Sequence, residues 1–241
     1  MNVNEIVRIV PTLKVNNRKL NEKFYIETLG MKPLLEESAF ISLGDQTATE
    51  RLILEESPSM RTRRVEGLKK LARLLIKVEN PSEIEALLSQ MKSLPRLFKG
   101  KRGYAFEIVS PEEDVILVHA ENDIRDLVPL ETVPEFYSNT SIKYVSQFEV
   151  SMELRLPEGT ESLLDPEGVA PAITFTKGQG ADLAVENNVT WDLTMLKFLV
   201  RNFDLTSLRQ KFEKTGYFVP KSEKFFLGKD TNNIELWFEE A

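Results

Sequence analysis

Residues 13–30 read LKVNNRKLNEKFYIETLG, and the fold turns on how this stretch is read. Just upstream, Ile6 to Val15 alternates: Val7, Ile9, Leu13 and Val15 fall on one face with Pro11, and Arg8, Val10, Thr12 and Lys14 on the other. A period of two is the mark of a strand with one apolar side. Asn17 stands where a helix cap is needed, since its side-chain oxygen can accept from the first free N–H groups. Leu20, Phe24 and Tyr25 then give an apolar stripe, and Gly30 suits the left-handed position beyond the last turn. The chain opens strand, helix, glycine.

The unit recurs. After strand-like runs at 32–43 and 51–56, Leu74, Ile76 and Val78 alternate, Asn80 and Glu83 form a capping-box pattern around Pro81, and Ile84, Leu87, Leu88 and Met91 mark a helix face. Strands at 104–109 and 115–120 close this second copy. A third begins at Val145 to Leu154 but is broken by Pro157, Gly159, Pro166, Gly168 and Pro171, with a hairpin expected at Gly178 and Gly180. A fourth is complete: a strand ending at Val200, Asp204 as cap, Leu205, Leu208 and Phe212 as helix face, Gly216 as stop, then two strands. Repetition at this scale is the main architectural signal. Between Arg125 and Thr140 two prolines and no periodicity suggest a stiff connector. The expected division is therefore residues 1–124, a linker at 125–140, and residues 141–241.

Length and composition agree with this: 241 residues at about 150 per domain permit two small domains. The absence of cysteine removes disulfide scaffolds and thiolate chemistry, and a single histidine removes multi-histidine metal motifs. Net charge is −7, against nucleic acid as a partner. Neither a signal peptide nor a membrane span is visible, so no membrane association and a cytoplasmic location are expected, with surface exposure or secretion only by a non-classical route. The excess charge sits in the second half, since residues 1–125 carry a net +1 and residues 126–241 a net −8.

Phe24, Tyr25, Leu29 and Gly30 resemble the FYxxxLG hallmark of the vicinal oxygen chelate (glyoxalase/bleomycin-resistance) superfamily, and SPEEDVILVHA from Ser110 and KDTNNIELWFEE from Lys229 resemble its terminal turn and strand. The resemblance implies an α+β fold: tandem glyoxalase-like domains built from βαβββ modules, the second partly degenerate. Over the whole chain the arrangement resembles CppA, a streptococcal family whose members carry the name C3-degrading proteinase. That implies host complement C3 as substrate or partner.

The superfamily's metal ligands would fall at Val10, Arg73 and Leu117 in the first half and at Gln147, Met195 and Glu235 in the second. Only Gln147 and Glu235 are oxygen donors, so no resident cofactor is expected and at most weak divalent-metal binding in the second domain. Strand parity puts Thr12, Lys14, Arg73, Lys77, His119 and Glu121 in a basic first cup. It puts Gln147, Glu149, Ser151, Lys197, Glu235 and Trp237 in an acidic second cup, where Gln147, Glu149, Lys197, Glu235 and Trp237 would meet a small-molecule ligand in glyoxalase- or dioxygenase-like chemistry. A serine peptidase would have to use His119, with Asp123 or Asp126 orienting it, although no GxSxG or HExxH is present. Arg61, Arg63, Arg64, Lys69, Lys70 and Arg73 form a basic run suited to an anionic partner.

Overall fold

The computed structural model describes residues 4–57, 61–132, 134–137, 141–160, 163–164, 166–170 and 172–241. The first module is β1 (Glu5–Val15), α1 (Arg18–Lys23), β2 (Lys32–Glu37), β3 (Phe40–Gly44) and β4 (Glu50–Glu56). The second is β5 (Leu71–Val78), α2 (Pro81–Gln90), β6 (Arg96–Lys99), β7 (Tyr104–Val109) and β8 (Val115–His119), followed by the two-residue β9 (Val128–Pro129). The third reduces to β10 (Phe148–Pro157), one turn of helix α3 (Pro166–Val169) and β11 (Ile173–Gly178). The fourth is β12 (Leu193–Arg201), α4 (Leu205–Lys211), β13 (Tyr217–Phe218), β14 (Phe225–Lys229) and β15 (Glu235–Glu240). Among the described residues no helix is long and apolar enough to cross a membrane.

Local chemistry explains the module starts. The Asn17 side chain accepts from the Leu20 N–H at 3.0 Å, Asn80 from Ser82 at 3.2 Å, and Asp204 from Thr206 and Ser207. Glu83 does not close the expected capping box; it is buried and accepts from the Ser146 N–H and hydroxyl. The first helix is shorter than its sequence pattern suggests, because α1 widens at Phe24–Thr28 into a π-type turn that buries Tyr25 completely. Gly30 follows at φ +67°, where a Cβ would stand 3.1 Å from Val145 and 3.2 Å from Leu87. It is the point where three modules touch.

The sheets do not follow chain order. An eight-stranded sheet runs β13-β14-β15-β12-β1-β4-β3-β2, and a seven-stranded sheet runs β11-β10-β5-β8-β7-β6-β9. The first module is therefore continuous with the fourth through antiparallel β1 and β12, and the second with the third through antiparallel β5 and β10. Each sheet draws strands from both sides of the 125–140 segment. The core fills from both, with Leu13, Phe106, Phe148, Phe198 and Phe226 all essentially inaccessible. Each such side chain contributes roughly 1.5–3 kcal/mol of burial.

One local expectation fails. The hairpin at Gly178 and Gly180 does not form: β11 pairs in parallel with β10, and Ala181–Ala184 is a 3-10 turn. Its Asp182 accepts both terminal nitrogens of Arg63, at 2.7 and 2.6 Å, and the Glu66 N–H at 2.7 Å, which holds the segment out of any strand. In the connector, Val128 and Tyr137 are exposed, while Leu130 and Phe136 are half-buried and pack against the core; Val133 lies outside the described residues.

Candidate functional site

The polar face of the seven-stranded sheet is built in rows, because Cα partners project to one side. His119, Lys77 and Glu149 form one row across β8, β5 and β10; Leu117, Leu75 and Ser151 form the next. In the third row Arg73 grips Glu153 at 2.6 Å. This face walls a cavity of about 540 Å³ whose opposite side comes from the other sheet, through Val7, Arg8 and Ile9 of β1 and Arg51 of β4.

His119 is only 5% exposed, and among the described residues its Nδ1 has no hydrogen-bond partner. Burial, and then the neighbouring Lys77 ammonium, pull its pKa down to about 4, so the ring is neutral at pH 7. The carboxylates that could orient it are engaged elsewhere, Asp123 with Arg125 at 2.6 Å and Asp126 with Lys101 at 2.8 Å. The Arg125 bonds hold Asp123 down to about 2.

On the eight-stranded sheet one row is Ile53, Thr12, Met195 and Glu235, and the next is Val10, Lys197 and Trp237. Lys197 lies 3.1 Å from Glu50 and 2.9 Å from Glu239; those bonds raise its pKa against the opposing effect of burial. Glu235 is pushed up by burial and by Glu55, itself 3.2 Å from the Lys14 ammonium. Trp237 stacks on Phe225 with ring centres 3.8 Å apart.

The residues grouped by sequence are thus redistributed. Thr12 and Lys14 share a face with Lys197, Glu235 and Trp237, while Arg73, Lys77 and His119 share one with Glu149 and Ser151. Gln147 is exposed just before β10, its carbonyl accepting from the Glu79 N–H, and so belongs to the seven-stranded side, apart from Glu235. Alternation along a strand fixes which face a side chain takes but not which strand lies beside it.

The basic run is a seam. Arg63 is held by Asp182; Arg64 pairs with Glu113 at 2.9 Å, Lys69 with Asp114, and Arg73 with Glu153. Lys70 is 1% exposed and donates to the Val185 carbonyl at 2.8 Å, and burial lowers its pKa to about 8. Asp192, also buried, accepts the N–H groups of Lys70, Leu71 and Leu193, tying the start of β5 to the start of β12. Arg61 is exposed. Sequence reading missed Asp182 and Asp192 as the partners of this run, and missed Arg8 and Arg51 as cavity walls. For Arg8 a signal existed, its place on the polar side of the first strand.

Two mixed sheets assembled from strand–helix–strands modules define the fold as glyoxalase-like. A mutant of glyoxalase I from Zea mays superposes with a TM-score of 0.57 at 12% identity, over 97% of this chain and 93% of that one, which supports the fold alone. The cppA protein from Streptococcus pneumoniae is 66% identical over 100% of both chains, with a TM-score of 0.95. The family models for the CppA N-terminal and CppA C-terminal regions match residues 8–130 and 145–238. The chain belongs to the CppA family. None of the curated proteins matches it.

Proposed function

We propose that the chain acts by binding rather than by breaking a bond, and that the C3-directed role implied by its family resemblance is recognition of C3. The observation that carries this is the state of the one imidazole: His119 is neutral and buried, and both aspartates that could orient it are taken by Arg125 and Lys101. A general base in a serine peptidase needs a hydrogen-bonded carboxylate behind it to fix its tautomer and stabilise its charged form.

The donor sets also speak against a resident divalent metal. Gln147 and Glu235 lie on different sheets, and cations stand among the other donors: Lys77 lies between His119 and Glu149 in their row, and Lys14 lies against Glu55 next to Glu235. The remaining positions at Val10, Leu117, Arg73 and Met195 offer no oxygen or imidazole donor. Among the described residues no cluster of three or more His, Cys, Asp or Glu residues forms.

The test is purified protein incubated with C3, read in parallel by gel and by surface plasmon resonance. Saturable binding without new fragments is expected, unchanged in His119→Ala. Fragments that disappear in a folded His119→Ala variant would overturn the reading, as would cleavage dependent on a stoichiometric metal found by elemental analysis.

A further inference from the structure

The cavity between the two sheets holds two cations, Arg8 and Lys77, that no carboxylate among the described residues pairs. Of its carboxylates, Glu153 is gripped by Arg73 and Asp123 by Arg125, while Glu121 accepts the backbone N–H of Arg102 at 2.6 Å. Of its cations, Arg51 is neutralised by Asp45 at 3.0 Å, whereas Lys77 reaches only the neutral Asn122 side chain at 3.0 Å. Among the described residues Arg8 makes no ion pair and its buried Nε has no partner. Burial and then the adjacent Arg51 lower the Arg8 pKa, against the smaller opposing effects of Glu50 and Asp45. The His119 Nδ1 on the same cavity is a further buried polar atom without a partner. Buried polar groups in folded proteins are nearly always satisfied, so unpartnered ones along a cavity mark where a ligand supplies the missing bonds.

Other features narrow the ligand. Val7, Ile9, Leu75 and Val150 make part of the wall apolar. Glu149 is exposed, cross-strand from Lys77, and penalises a second negative charge. We propose that this cavity binds a small monocarboxylate with an apolar body, its carboxylate read by Arg8 and Lys77 and its hydrocarbon by the apolar wall. The inference rests on reading the chain as a binding protein, but at a site separate from any C3 contact.

Because His119 is the only histidine, its ring Cε1 proton gives one proton-NMR resonance inside the cavity of the untagged chain. Hexanoate titrated to about 20 mM should move it saturably, as an affinity in the millimolar range or tighter requires. Inorganic phosphate and hexanol at equal concentration should not. Arg8→Gln should weaken hexanoate about tenfold or more. If that variant misfolds, Lys77→Gln, a more exposed position, should do the same. No saturable shift with hexanoate, equal response to phosphate or hexanol, or undiminished binding in the folded variants would each overturn the proposal. None of these results bears on C3 cleavage, so failure here leaves the binding reading standing. His119-dependent cleavage would remove that reading without moving the titration.

Discussion

A neutral imidazole at His119 makes the folded state harder to keep as the medium is acidified. Its pKa is about 4 in the native protein against 6.5 for a free side chain, so between those values the unfolded chain binds more protons than the native one. Stability tied to this residue is therefore complete above pH 6.5 and is lost as pH falls toward 4, by roughly 3 kcal/mol in all. Urea melts of parent and His119→Gln across that window should show a steeper fall in the parent. Parallel curves would mean that the ring titrates normally. Glu235 works in the opposite direction: burial raises its pKa, so its ionisation costs native stability as pH rises above the ordinary glutamate value. The two groups sit on different sheets, one on β8 and one on β15, and are free to act independently.

At the level of elements, the segment between β4 and β5 was legible only as a basic run, and a run of like charge commonly marks a solvated face or an interaction surface. The structure instead places the inaccessible carboxylates Asp182 and Asp192 beneath it. Neither was predictable, because each lies more than a hundred residues away in sequence from the residues of the run that it holds. Arg63→Glu would set a second carboxylate against the buried Asp182, and should lower the melting temperature clearly more than Arg64→Glu does. Arg64→Glu, facing Glu113 with both side chains more than half exposed, should change stability by no more than about 1 kcal/mol. Thermal melts of the two single variants decide between a seam and a free surface; equal, small shifts would show that Arg63 is not structural. Gly30 belongs to this scale as well. Its left-handed conformation follows from its place after the first helix, but that it also lets Val145 and Leu87 approach could not be read from the sequence.

For the whole molecule, shared sheets imply shared stability. We propose that residues 1–124 and 141–241 are sequence units that fold together, since separating them strips β12 from β1 and β10 from β5. A fragment of residues 1–124 would expose two long, apolar edge strands, and should aggregate or lack a cooperative melt. A monomeric fragment with a sharp transition on size exclusion and circular dichroism would refute this. By itself the sequence determined the modules: period-two alternation, the Asn17, Asn80 and Asp204 caps and the glycine stops are local signals, each set by the dihedral and hydrogen-bonding preferences of a few neighbouring residues. It also determined which side chains share one face of a strand, because strand parity is a property of one strand. Only the tertiary structure decided which modules share a sheet, and with that which charges meet: Lys77 beside Glu149, Thr12 beside Met195, Gln147 apart from Glu235. The physical reason is that strand pairing is chosen by the packing of whole apolar faces across the chain, a contest among alternatives that no local pattern encodes.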